Sequence, residues 1–367
     1  MPQILLAVIA IVVAGGLAGR ADALDSSEGA LRVTPMVTGL DQPWAVGFLP
    51  GGAVLITERD GRLIHIDGGE ITNLRGVPIV ADNGQGGLLD VLVPRDFAQT
   101  REIFLSYAAP QGRGAGTAVA RGILSDDASR LLDVRTIFEM ERGMRSDRHF
   151  GSRIVEGRDG FLYVSIGDRG DRPSAQDLTT EAGAVVRIAR DGSVPADNPF
   201  VGQAGAQPEI WSYGHRNPQG MAITPDGVIV TAEHGARGGD EVNILRKGAN
   251  YGWPVISYGR HYSGASIGEG TERAGMEQPA HYWDPSIAPS GMMVYSGRLW
   301  PNWRGDMFVG SLKFDMISRL ERGGSVREAE RLASDETLRV RDIREGPDGA
   351  IWFLSIGNGT LYRMTPG

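Results

Sequence analysis

Along the chain, apolar and polar positions alternate in short β-rich runs closed by glycine turns, and stretches of helical period are scarce. One unit keeps returning: an apolar run, a turn built from Pro, Asp or Gly, and a second run that ends in a polar loop. It spans Trp44 to Glu58 around Pro50-Gly51-Gly52, and Leu88 to Tyr107 around Asp96 to Arg101. It recurs from Ser152 to Asp168 around Asp159-Gly160, and from Met221 to Glu233 around Asp226-Gly227. Met292 to Ser311 around Arg304-Gly305 and Ile343 to Ser355 around Asp348-Gly349 complete a set of six. The turns follow one another at about 50 residues, more where loops intrude, which is the period of propeller blades. A single hairpin cannot bury both its faces, so such units must stack around an axis. Six of them are too many for one β-sandwich. The pattern predicts an all-β chain: a six-bladed β-propeller of four-stranded antiparallel blades.

Two interruptions, Asp171 to Phe200 and Tyr258 to Asp284, are rich in Gly, Asp and Ser and read as functional surface loops. At the N-terminus, the apolar run Leu5 to Leu17 is too short for a comfortable membrane span. Ala21-Asp22-Ala23 follows it, a small-x-small pattern for cleavage after Ala23. The expectation is a signal peptide over residues 1–23, then a single propeller domain over 24–367, periplasmic or secreted. An uncleaved anchor is the competing reading, because only the α-amino group is positive ahead of the apolar run. No later segment is apolar enough to cross a bilayer, and the absence of Cys leaves no disulfide framework or thiol ligand.

Composition narrows the chemistry. A net charge of -8 argues against nucleic acid as a partner, since phosphate binding needs a basic face. Basic side chains gathered in one pocket remain able to grip a small anion. A propeller sets the start of each innermost strand beside its channel, and several polar residues share that phase. His149 and Arg216 each lie 11 residues before a turn glycine, Gly160 and Gly227. Arg339 and Arg341 lie 10 and 8 before Gly349, and Gln85 precedes the second unit. Residues far apart in sequence are thereby expected at one mouth of the channel.

The segments at that phase are Gly84-Gln85-Gly86-Gly87-Leu88-Leu89-Asp90, His149-Phe150-Gly151-Ser152-Arg153, Ile166-Gly167-Asp168 and Gly214-His215-Arg216-Asn217-Pro218. With them stand Gly239-Asp240-Glu241-Val242-Asn243, Asn250-Tyr251-Gly252-Trp253-Pro254, Ser311-Leu312-Lys313 and Arg339-Val340-Arg341-Asp342. In order, and from about Val33 to Tyr362, they resemble the glucose/sorbosone dehydrogenase family, most nearly its periplasmic aldose sugar dehydrogenases that use pyrroloquinoline quinone (PQQ). The resemblance implies oxidation of aldoses at the anomeric carbon to lactones, with electrons passed to an external acceptor such as a quinone, a cytochrome or a dye. It implies PQQ binding by Gln85, Arg216, Asn217, Leu312, Lys313, Arg339 and Arg341. PQQ is a flat tricarboxylate, which suits Arg216, Lys313, Arg339 and Arg341. His149 falls on the family's catalytic base, and Asp168 would orient it and favour its protonated form.

The resemblance also implies calcium. The carbonyls of Gly235 and Ala236 fall where the family binds the ion that polarises the quinone, and Glu241 with the Tyr251 carbonyl would hold a second ion. One departure stands out: soluble glucose dehydrogenases have Asp before the catalytic His, and here the residue is Arg148. Tyr258, Tyr262 and Trp283 are candidates to stack on a pyranose. His65, His261 and His281 stand in no matched segment; His215 and His234 border the site. Two rivals remain open, a calcium-dependent lactonase or esterase propeller and a non-enzymatic propeller that binds glycans or proteins. The absence of G-x-G-x-x-G between a strand and a helix argues against a nicotinamide enzyme.

Overall fold

The computed structural model describes residues 23–367, so the predicted leader, apart from its last residue, lies outside the described residues. Six antiparallel sheets make up the described residues. The innermost strands are Pro43–Phe48, Leu88–Leu92, Ile154–Glu156, Pro218–Ile223, Pro289–Val294 and Val340–Glu345, and each touches the next in ring order. This is the six-bladed β-propeller that the pattern predicts, and each predicted hairpin supplies the two inner strands of one blade. We number the blades I to VI from Pro43.

Five blades are four successive strands. Blade VI joins both ends of the chain, because Gly29–Val37 pairs with the C-terminal strand Thr360–Pro366, Arg32 opposite Thr365. A further strand, Ala23–Ser26, pairs outside Gly29–Val37 and makes this blade five-stranded. The segment read as a loop from Asp171 to Phe200 contains the third strand of blade III, Ala184–Ile188, buried along its length. The second interruption likewise holds the outer strand of blade IV, His281–Trp283.

The core lies between blades, as small sheets require. Leu55 and Leu63 of blade I pack with Leu105 and Tyr107 of blade II. Comparable clusters fill the other five interfaces. Hydroxyls stitch three interfaces at the inner strands. Thr57, Ser106 and Ser165 accept from the N–H of Ala45, Asp90 and Arg153 in their own blade, and donate to the carbonyls of Leu89, Ser152 and Pro218 in the next.

On the axis sits a buried ion network. Arg153 Nη1 lies 3.0 Å from both Asp90 and Asp342, and Arg344 reaches the same two carboxylates at 2.7 and 3.0 Å. The second oxygens of Asp90 and Asp342 accept from the N–H of Ile154 and Val46. Four inner strands are tied at one point. Trp44 lies against both Arg153 and Arg341, each guanidinium carbon 4.4 Å from a ring centroid.

Removing one carboxylate leaves Arg153 buried with half its compensation. Asp342→Ala is therefore expected to lower stability by about 3–5 kcal/mol, measured by urea unfolding. A loss below about 1 kcal/mol would show that the network does not hold the ring.

Candidate active site

Each blade presents two loops at the same end: the one before its first strand and the one after its second. Gln85, His149, Arg216-Asn217 and Arg339 come from loops of the first kind, and Gly235-Ala236 and Leu312-Lys313 from the second. The ring brings these residues together to line one cavity of about 880 Å³ at the channel mouth. His234, Arg237, Tyr262 and Asp284 also line it. Arg341 does not reach the lining. It lies buried beneath the floor, where Nη1 donates to Gln219 Oε1 at 2.9 Å and Nε and Nη2 have no partner. Burial, reinforced by Arg153, pulls its pKa down to about 9.

His149 is set by backbone as much as by side chain. Its φ is +58°, unusual for a residue with a Cβ, and its N–H donates to Gln85 Oε1 at 2.8 Å. Gly167 faces it closely: a Cβ there would lie 2.2 Å from the His149 carbonyl oxygen, so only glycine admits this approach. The imidazole Nδ1 lies 2.6 Å from Asp168 Oδ1, which fixes the tautomer with Nδ1 protonated and Nε2 free. Asp168 is fully buried and accepts two further bonds, from Gly170 N–H at 2.7 Å and from Trp253 Nε1 at 2.8 Å.

Burial lowers the His149 pKa below its ordinary 6.5, and the nearby Arg216 and Arg148 charges act the same way; the Asp168 bond opposes them without prevailing. The expectation that Asp168 favours the charged imidazole is therefore met only in part. Burial works to raise the Asp168 carboxyl, but the bonds from His149 and Gly170 hold it below its ordinary value. The pair is a neutral imidazole beside a carboxylate, an arrangement that takes up a proton at Nε2.

The positive charge is uncompensated. Among the described residues, no carboxylate lies within 4.0 Å of the charged side-chain groups of Arg216, Lys313, Arg339 or Arg341, although the backbone N–H groups of Arg216 and Arg339 donate to Glu233 and Asp315. Arg216 is held by the His234 carbonyl at 3.2 Å and by the Trp253 ring, and burial lowers its pKa. Such a donor set fits a flat polyanion. Gly235 and Ala236 line the cavity, and among the described residues no hydrogen bond within 3.5 Å ends on either carbonyl oxygen, so both remain available to a hard cation. Glu241 and Tyr251 lie in a separate small cleft beside Glu233. Burial and the Glu233 charge push the Glu241 carboxyl up to about 8. Of the aromatic candidates for sugar stacking, only Tyr262 lines the cavity, 71% exposed. Tyr258 stacks on Tyr282, and Trp283 is buried with its N–H on Glu328.

The model of the glucose/sorbosone dehydrogenase family matches residues 40–363. The chain belongs to this family. It is 45% identical to the aldose sugar dehydrogenase YliI of Escherichia coli over 353 residues, 94% of this chain and 95% of that one. The solved structure of the soluble aldose sugar dehydrogenase of Escherichia coli in its apo form superposes with a TM-score of 0.88 at 43% identity, covering 92% of this chain and 100% of that one. The PQQ-bound aldose sugar dehydrogenase of Streptomyces coelicolor superposes at 0.74 and 25% identity, covering 91% and 98%.

Within this glucose/sorbosone dehydrogenase, sequence reasoning left Trp253 and Gln219 without a role and placed His234 only at the border of the site. Trp253 stood in a matched segment, but nothing along the chain says that its N–H reaches a carboxylate 85 residues away. Gln219 Oε1 joins Arg341 to His234 Nε2, 3.1 Å away, and so ties the buried cation to the cavity wall.

A base must be unprotonated to work, so activity falls as pH drops through its pKa. The acid limb of kcat/KM is expected below pH 6.5, where the lowered His149 pKa places it. In Trp253→Phe, Asp168 loses a donor and stabilises the imidazolium more, so the limb should move to higher pH while kcat drops about tenfold. A profile that does not move would deny Trp253 this role.

Proposed function

We propose that this chain oxidises aldose sugars at the anomeric carbon to lactones, using bound PQQ and calcium and an external electron acceptor. The observation that carries this reading is the set of carboxylate-free cations gathered around an imidazole–carboxylate pair in one cavity. The resemblance to PQQ-bound and aldose-oxidising relatives points the same way.

Arg216, Lys313 and Arg339 would hold the carboxylates of PQQ, with Arg341 adding charge from beneath and Gln85 and Asn217 offering hydrogen bonds beside Leu312. When bound, PQQ supplies the acceptor for hydride from the sugar. Calcium on the carbonyls of Gly235 and Ala236 would draw charge toward the quinone oxygen. His149 Nε2 takes the proton of the anomeric hydroxyl, and Asp168 keeps the other nitrogen protonated and steadies the charge that results. Trp253 and Gly170 hold Asp168 in that orientation. The Glu241–Tyr251 cleft would take a second calcium, which would relieve the repulsion between Glu241 and Glu233.

A lactonase reading needs several carboxylates around an axial ion. Among the described residues no three His, Asp or Glu side chains form such a group, and the axial Asp90 and Asp342 are spent on arginines. Export rests on the leader pattern. A cut after Ala23 would leave the buried Leu24 to begin the outermost strand of blade VI.

Purified PQQ-free protein should gain aldose:dye activity on adding PQQ with Ca²⁺ and lose it to a strong chelator. Arg216→Ala should weaken PQQ binding by about 1.5–3 kcal/mol, one charge-assisted bond. Activity that requires NAD instead would overturn the reading. His149→Ala should still bind PQQ yet turn over about 10²–10⁴ times more slowly, the usual contribution of a positioned base. Normal turnover in that variant places the base elsewhere.

A further inference from the structure

On the loops around the cavity stand four arginines outside the cation set described above, of which Arg237 lines it. Arg148 directly precedes His149; its side chain is 61% exposed and its one ion-pair contact, with Asp147, is 3.9 Å long. It packs over Gly170, with Nε 3.6 Å from where a Cβ would stand there. Arg172 opens the short helix Arg172–Gln176 on the same loop, bonded to His261 Nδ1 at 2.8 Å and set against Trp253. Arg237 lines the cavity wall. Its backbone exchanges two 3.0 Å hydrogen bonds with that of Arg260, two residues before the exposed Tyr262. Among the described residues, no carboxylate lies within 4.0 Å of Arg172, Arg237 or Arg260.

These side chains rise from four separate loops, so no single stretch of sequence accounts for the cluster. Among the described residues, Asp284 is the only acidic one lining the cavity, in a protein whose net charge is -8. The charge at the mouth thus has the opposite sign to the charge of the whole. A neutral aldose, a ring of hydroxyls, gains little from guanidinium groups beyond what amides offer. A carboxylate gains two parallel charge-assisted bonds from each one it meets, and the cleft's field draws it in.

We propose that the rim formed by Arg148, Arg172, Arg237 and Arg260 beside Tyr262 is a carboxylate subsite, and that the preferred substrates are aldoses bearing a carboxyl group, the uronic acids. This rests on the aldose-oxidising reading above. In a uronic acid the carboxylate is on C6, across the ring from the anomeric carbon. One end meets His149 while the other meets the arginines, and the reaction at C1 is that of any aldose.

The test compares glucuronate with glucose, and galacturonate with galactose, in the PQQ- and Ca²⁺-loaded enzyme. The expected result is a higher kcat/KM for each acid, falling with added NaCl while the neutral sugar's does not. In Arg237→Gln and Arg148→Gln the acid-to-neutral ratio should drop about fivefold or more, mainly through KM for the acid. Saturation-transfer NMR of glucuronate with PQQ-free protein gives a readout independent of turnover: salt-sensitive binding, weakened in both variants, with weaker binding of glucose. Activity on the neutral sugars with no preference for the acids overturns this proposal and leaves the aldose reading intact. An effect of the variants on the KM of the electron acceptor alone also overturns it, and assigns the arginines to that partner. If no aldose is oxidised, the aldose reading fails, and equal NMR binding of glucose and glucuronate then rejects the subsite as well.

Discussion

The cup at the channel mouth exists because the axis is blocked. Asp90 and Asp342 face Arg153 and Arg344 where six inner strands converge, and every strong charge in the group has an opposite within 3.0 Å. Charges taken out of water at this depth are tolerated only when satisfied, and here backbone N–H groups complete the carboxylates. The network links blades I, II, III and VI at one level, and Trp44 packs against its arginine. Beyond it lies a second pocket lined mainly by apolar side chains such as Val46, Val91, Met221 and Met292, with Arg344 and Glu345 among them. The two ends of the axis are thus chemically unlike.

The polar end follows the opposite rule. Arg216 and Arg341 are buried, as Arg153 is, yet no carboxylate meets their guanidinium groups, and burial shifts the pKa of both downward. That is unfavourable for folding and favourable for binding an anion, since the donors are already desolvated and need no rearrangement. Gln219 keeps this arrangement from collapsing, because its side chain accepts from Arg341 and from His234 at once. Positive backbone angles at His149 and Arg339 belong with it, at two residues that line the cavity.

How much of this was legible along the chain depended on the range of the interactions involved. The hairpins were plain because turn glycines and period-two alternation are local, and the shared phase of Gln85, His149, Arg216 and Arg339 pointed to one mouth. Ala184–Ile188 was hidden because its strand is short and flanked by Gly- and Asp-rich turns that resemble a long loop. Trp283 looked available for stacking, but a three-residue edge strand turns it inward onto Glu328. Arg341 shares the phase of the lining residues and still falls beneath the floor; strand register decides this, and local composition does not carry it. The role of Trp253 depends on a contact between blades III and IV that only the assembled ring creates.

Blade VI carries a consequence for the order of events in a cell. Gly29–Val37, paired on one side with Ala23–Ser26, keeps its other edge open until Thr360–Pro366 arrives to pair with it. Lys313 and Arg339 lie late in the chain as well, so no N-terminal fragment contains a complete cation set. Ring closure and the gathering of these cations therefore depend on the same late strands. A chain that lacks either strand of this pair lacks one side of the clasp, and with it the geometry that gathers the mouth.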